Sequence, residues 1–416
     1  MKKVILSLIL TLALALVAAM PASAAETLPV FVEGQKIAEP ALVKNGVSYL
    51  PMRSIYEALG AKVDWDAKNK RVIATEPSGI WTEIPLNGDC LVVHYSAHSD
   101  TTASLEERRP FARGGKIYLP VRLVSDTMGY DVDYNKQRIA VSAPRLTYNS
   151  ADGVYTLNLL SGELTLSQAG GAKRLGVVEM LSTRGFGAVE LSGFSVEATP
   201  GGNYLLRSGG ILSGALTNSL QMYAWLPGDG GKAVTVYSAS VLDPLPAPCW
   251  AENVLWLSGS GVVFAVDEKN DTVTEYDIAD IYGEECNYMC YWTDGRFMLL
   301  GDGADFDVYD IKTKELIDLK TAVLEPDIKA QVQTFMQQNS WGANTPEKFA
   351  ALWEGLGNTF AALGVGDEVV YLNFVKEADG VLYFDLILHY WAVDAEGKPA
   401  SISGDKTFNI TYALPY

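Results

Sequence analysis

The chain has three histidines, His94, His98 and His389, and the first two are close in sequence. Four residues apart, they would share a helix face and could ligate a metal. The segment Leu91 to Ser99 reads instead as a strand running into a polar loop, where that pairing is lost. Asp302, Asp305, Asp307 and Asp310 are clustered hard oxygen donors of the kind calcium takes. Their spacing is not that of an EF-hand loop, and the same stretch also reads as a solvated strand edge. No Gly-x-Ser-x-Gly elbow, phosphate-binding glycine loop or His-Glu-x-x-His occurs. Among 50 acidic residues no pair stands out by context as the acid and base of a glycoside hydrolase. No catalytic residue, metal or cofactor is therefore assigned. Binding chemistry has better candidates. Arg53 and Arg122 each sit just after a proline at a helix start and read either as ligand-facing guanidinium groups or as partners of a nearby carboxylate or carbonyl. Trp225 and Trp256, with Trp250 and Trp292, lie at strands or turns, where they would offer flat faces to sugars or fill a core.

The two arginines belong to one phrase written twice. Tyr49-Leu50-Pro51-Met52-Arg53 leads to Gly60-Ala61-Lys62-Val63-Asp64-Trp65, and 69 residues on, Tyr118-Leu119-Pro120-Val121-Arg122 leads to Gly129-Tyr130-Asp131-Val132-Asp133-Tyr134. In each copy a proline with fixed φ and no N–H suits a helix start. Ile55, Ala58 and Leu59 follow at helical spacing, and Gly60 can take the left-handed conformation that ends a helix. Ala61, Val63 and Trp65 then alternate with charged residues, which predicts a strand with one buried face. Asp66 to Asn69 makes a turn and Arg71 to Thr75 a return strand. The second hairpin, Tyr134 to Ile139, is two residues shorter.

This pattern resembles the N-terminal, stalk-type domain of copper amine oxidases, a module also found without the oxidase in secreted proteins of Gram-positive bacteria. The resemblance covers about Leu28 to Ala143 and implies a small α+β module serving as a non-catalytic envelope or spacer domain. The oxidase half implied by the family needs an Asn-Tyr-acid triplet and three copper-binding histidines. Here Asn203-Tyr204 is followed by Leu205, and Asn287-Tyr288 by Met289. No amine oxidase activity is expected.

The chain opens as a bacterial export signal: Lys2-Lys3, an apolar run from Val4 to Met20, then Pro21-Ala22-Ser23-Ala24, with cleavage expected after Ala24. No later run is long enough to cross a bilayer as a helix. A secreted or extracellular protein, free or held to the cell wall, is the expectation. The net charge of −18 is concentrated toward the C-terminal end, where residues 241–416 carry 29 acidic against 10 basic side chains. Such a field disfavours nucleic acid and anionic lipid. Of the four cysteines, Cys249 is expected to bridge Cys286 or Cys290, unless the host is anaerobic and all four are buried thiols.

From Arg145 to Thr321 short strands and tight turns take over. Val254 to Ser260 and Phe297 to Gly303 are 43 residues apart, and the hairpins after them keep that offset, a period typical of propeller blades. Asp152-Gly153, Asp294-Gly295 and Asp379-Gly380 read as hairpin turns. About four units fit, and a β-sandwich or open meander competes with a closed ring. Beyond Lys320, helices are expected at 326–338 and from Thr345 to Phe360, then three strands. The expected organisation is multidomain: a signal peptide at 1–24; a duplicated α+β stalk-type module at 25–144, with halves around 46–75 and 115–141; a mostly-β, propeller-like domain at 145–321; and a small C-terminal α+β element at 322–416. The function expected is a non-catalytic envelope or extracellular protein whose β-rich domain binds a glycan or a protein. The alternative is a secreted hydrolase, glycosidase or esterase, drawing on carboxylates of the acidic half.

Overall fold

A computed structural model describes residues 27–76, 79–94, 100–105, 109–135, 137–178, 189–212, 219–238, 245–302, 305–324, 327–338, 369–393 and 399–416. The described residues divide into two compact units, one of 27–146 with 158–161, the other holding the remainder. The signal segment, the helix expected after Thr345 and His98 lie outside the described residues.

In the first unit the described residues form three sheets. In chain order the elements are β1 (Thr27–Leu28), β2 (Val30–Val32), β3 (Gln35–Lys36), β4 (Ala41–Lys44), β5 (Val47–Pro51), α1 (Met52–Ala58), β6 (Lys62–Asp66), β7 (Arg71–Thr75), β8 (Trp81–Pro85), β9 (Cys90–His94), β10 (Thr101–Ser104), β11 (Phe111–Arg113), β12 (Lys116–Pro120), α2 (Val121–Met128), β13 (Asp131–Asn135) and β14 (Arg138–Ser142). The sheets run β1-β4-β5-β12-β11, β10-β9-β8-β7-β6 and β13-β14-β2-β3. In the middle of the first, β5 and β12 pair antiparallel with Leu119 directly opposite Leu50, its match at the 69-residue offset. Each strand is fed by a tight hairpin, through Asn45-Gly46 and Gly114-Gly115. Both residues of each turn have positive φ, as the turn twist demands, which Asn and Gly tolerate best.

Leaving β5, the chain enters α1 at Pro51 and buries Met52, Ile55 and Tyr56. The helix ends in a Schellman arrangement: the Ala61 N–H reaches the Tyr56 carbonyl at 2.8 Å and the Gly60 N–H the Glu57 carbonyl at 3.0 Å, with Gly60 at φ +84°. Helices α1 and α2 are tied inside the core by Tyr56 Oη and Thr127 Oγ1, 2.9 Å apart. Strand β2 pairs parallel with β14, Val30 opposite Ile139, so the two ends of the unit close on each other. Leu50, Leu119, Val30, Ile139, Ile55 and Val124 share one core.

The second unit is built differently. Its described residues give four antiparallel meanders of four strands each. They are β15–β18 (Arg145–Ser150, Gly153–Asn158, Glu163–Gln168, Gly171–Val177), β19–β22 (Val189–Ala198, Tyr204–Leu212, Ser219–Leu226, Val234–Ser238), β23–β26 (Cys249–Ala251, Val254–Gly259, Val262–Asp267, Thr272–Asp277) and β27–β30 (Met289–Thr293, Phe297–Gly301, Phe306–Asp310, Glu315–Asp318). Strands pair strictly in chain order, the construction of a propeller blade. A short helix α3 (Ile278–Tyr282) links the last two meanders, capped by the Asp277 carboxylate on the Ala279 N–H. Helix α4 (Asp327–Gln338) precedes a three-stranded sheet, β31–β33 (Val369–Ala378, Val381–Val393, Pro399–Ala413), whose first turn is Asp379-Gly380. The unit is thus mostly β and propeller-like.

The structure takes the non-binding side of two readings the sequence leaves open, for the tryptophans and for the aspartates, and departs from the expected disulfide. Trp225 and Trp256 are 4% and 5% exposed and belong to the core. Both lie on second or third strands of meanders, which are covered on both faces, so neither offers a surface to a ligand. The calcium candidates do not converge. The Asp310 carboxylate accepts from Arg296 Nη2 at 3.0 Å and from the N–H groups of Lys312 and Thr313, whereas Asp307 accepts from Tyr282 Oη at 2.7 Å. Strand alternation puts Asp307 and Asp310 on opposite faces, and among the described residues no group of three or more ligating side chains is poised for a metal. The expected bridge from Cys249 is absent: Cys249 and Cys286 are half-buried free thiols and Cys290 a buried one. Cys290 Sγ donates to the Trp292 carbonyl at 3.3 Å. Burial pushes the Cys249 and Cys290 thiols up from their ordinary range.

Candidate functional site

The groove that brings charge, apolar floor and an open aromatic together lies in the first unit and has a volume of about 670 Å³. Its floor is Pro51 and Met52 at the start of α1 with Val63, Val72 and Ile117 from the strands around it. Trp65 stands at its side, 44% exposed. The alternation of β6 predicts a buried Trp65 beside Ala61 and Val63. The structure buries Ala61, half-buries Val63 and leaves the indole open, on a strand that is the edge of its sheet.

Across the groove, Glu39 from the segment before β4 accepts from Ser54 Oγ on α1 and from Lys116 Nζ on β12. The Lys116 ammonium and the Ser54 hydroxyl hold the Glu39 carboxyl below its usual range, and Glu39 in turn raises Lys116. A carboxylate so held is a weak general base, and no imidazole lines the groove, so the arrangement suits binding better than proton transfer. Arg53 points from the first turn of α1, its Nε 3.7 Å from Glu57 Oε1, with both side chains more than half exposed. Such a pair holds the guanidinium weakly. Asp64 on the rim meets Lys62 at 2.8 Å. A volume of this size, with an apolar floor and a few polar groups, suits a small ligand or one stretch of a polymer.

Of the residues singled out in the sequence, Arg53 lines this groove, and Arg122, at the matching place on α2, is exposed. Trp65 was missed as a binding residue, though one signal marks it: the 69-residue offset carries it onto Tyr134, itself 54% exposed. His94 stands apart from the groove. Its ring stacks on Trp81 at 3.7 Å and 11°, with Nδ1 2.8 Å from Asp100 and Nε2 3.8 Å from Glu83 Oε1.

In the second unit a dense polar site among the described residues is Glu268, in the turn after β25. It accepts from Thr199 Oγ1 (2.5 Å), the Gly201 N–H (2.8 Å), Asn203 Nδ2 (2.9 Å) and Trp225 Nε1 (2.7 Å). Burial opposes its ionisation, but these four donors outweigh it and the carboxyl lies below its usual range. With every oxygen bonded to its own fold, Glu268 is a clamp between meanders, not a reactive acid. Asp305 behaves oppositely: burial first, and the nearby charges of Asp307 and Asp302, push it up to about 6.

Residues 31–143 match the copper amine oxidase N-terminal domain family. No curated protein matches the chain. Among solved structures, virginiamycin B lyase from Staphylococcus aureus is 10% identical over 86% of this chain and 89% of that one, with a TM-score of 0.22. The WD40 domain of SCAP from fission yeast is 9% identical over 89% of this chain and 74% of that one, also at 0.22.

Proposed function

We propose that this is an exported, non-catalytic protein of the cell envelope or extracellular space whose stalk-like, internally duplicated module binds a glycan. The observation that carries the reading is the half-exposed Trp65 at the side of a groove with an apolar floor and a charged, hydrogen-bonding rim. An indole face covers the apolar face of a sugar ring, while Arg53, Lys116 and Glu39 are placed to meet its hydroxyls. The signal-like residues 1–24 support export. The mostly-β unit, with its two central tryptophans in the core, then serves as a scaffold or as a protein-binding surface. Sedimentation of the intact protein with isolated peptidoglycan and other wall polysaccharides tests this. Saturable retention supports it, and absence of retention on every wall fraction rejects it.

A hydrolase reading rests on Asp305, which burial holds partly protonated near neutral pH beside Asp307, as an acid catalyst requires. A glycosidase and esterase screen decides it: turnover lost in Asp305→Asn without stable polysaccharide binding would put this reading first.

A further inference from the structure

The register between β5 and β12 has a consequence for how many ligands the module holds. Leu50 faces Leu119, and their neighbours pair Tyr118 with Pro51 and Pro120 with Tyr49. Antiparallel pairing of two segments that match at an offset of 69 sets a local two-fold axis between Leu50 and Leu119. The same offset carries α1 onto α2, β6 onto β13, and the Asn45-Gly46 turn onto Gly114-Gly115. It also carries three exposed residues of the groove onto exposed residues, Asp64 onto Asp133 among them. Trp65 maps to Tyr134, which is 54% exposed, and Arg53 maps to Arg122, also exposed. A large aromatic is thus half-exposed at both copies of one position, outside the core of the unit.

We propose that the module carries a second saccharide position, centred on Tyr134 and Arg122, and that the two positions together tie neighbouring strands of a neutral, β-linked glycan. This rests on the binding reading given to the Trp65 groove. The ligand class follows from charge and shape. The first rim mixes Arg53 and Lys116 with Glu39, Glu57 and Asp64, and Tyr134 is flanked on its strand by Asp131 and Asp133. Neither surface favours a polyanion: each mixes both signs or is acidic, in a module whose residues 25–144 carry 15 acidic and 14 basic side chains. A flat indole or phenol matches the apolar face of an equatorially linked pyranose. A two-fold turns any path across its axis end for end, so one straight polymer of fixed polarity does not run through both positions in the same sense. Two strands do, which makes the module a cross-linker.

The test uses the full mature chain with chitin hexasaccharide and cellohexaose as soluble probes and glycol chitin as the polymer. Calorimetric titration of the wild type is expected to give two sites per chain for at least one hexasaccharide, and one site each for Trp65→Ala and Tyr134→Ala. Both variants should melt within about a degree of the wild type, because both side chains are exposed. Glycol chitin should become turbid with wild-type protein, and each single variant should reduce that turbidity at least tenfold. One site per chain, abolished by Trp65→Ala and indifferent to Tyr134→Ala, would overturn the second position while leaving the groove intact. Binding indifferent to Trp65→Ala, or no binding of either hexasaccharide, would overturn the groove reading as well.

Discussion

Trp65 and Trp225 both sit on strands among alternating residues, yet the first is open at the side of a groove and the second is sealed in a core with its Nε1 on Glu268. The difference lies in what covers the strand. Strand β21 is the third of four in a meander, with its neighbours β20 and β22 paired on either side and an apolar core against its face. Strand β6 is the edge of its sheet and has a neighbour on one side alone. A side chain's chemistry is thus set by the layer above it more than by its own strand's pattern.

The sharpest way to break this contrast is to remove the clamp. Glu268→Ala leaves Thr199, Asn203, the Gly201 N–H and the Trp225 indole without their acceptor, and is expected to cost the second unit about 3 kcal/mol. Urea melts followed by tryptophan fluorescence measure it, and a loss confined to a few tenths would show that the four bonds are replaced by water at no cost. Trp65→Ala should by comparison change stability by less than about 0.5 kcal/mol.

Acidity separates two carboxylates of the second unit. Glu268 has a folded pKa below its unfolded value, so its contribution is present above the unfolded value near 4.5 and is lost as pH falls through the folded one. Asp305 is raised to about 6, so its contribution is complete below the unfolded 3.8 and is lost as pH rises through 6. Asp305→Asn should therefore stabilise the unit at pH 7, by about 2 kcal/mol, and have little effect at pH 4. Melts at the two pH values check the sign, and stabilisation at pH 4 alone would contradict it.

A smaller effect is expected in the module. Tyr56→Phe removes the bond to Thr127 and should cost about 1 kcal/mol. The parallel pairing of β2 with β14 closes the module on itself, so a fragment from Ala25 to Pro144 should fold alone and give dispersed amide resonances by NMR. A narrow, unspread amide region would show that it needs the rest of the chain.

Much of the local structure is legible in the sequence. Proline, a helical stripe and glycine placed α1 after Pro51 and ended it at Gly60, and the 43-residue offset marked β24 with β28 and β25 with β29 as matching strands. Periodicity is a local property, so it survives in sequence. The openness of Trp65 did not, because alternation says that two faces differ and not which one is covered. The Glu268 clamp was equally hidden: its donors are 43 to 69 residues away and meet only when the meanders pack. The arginines after the prolines were found because a repeated position is visible as text. The bridge expected from Cys249 failed because spacing along the chain does not report which way two sulfurs turn.

The claim that the open groove of the module, and not the sealed tryptophans of the meanders, is the binding surface reduces to one measurement. Wild-type protein and Trp65→Ala are titrated against the wall polysaccharide that retains the wild type, with the melting temperature recorded for both. The account predicts at least a tenfold loss of affinity at an unchanged melting temperature. Equal affinity in the two proteins would contradict it and remove the groove from the function.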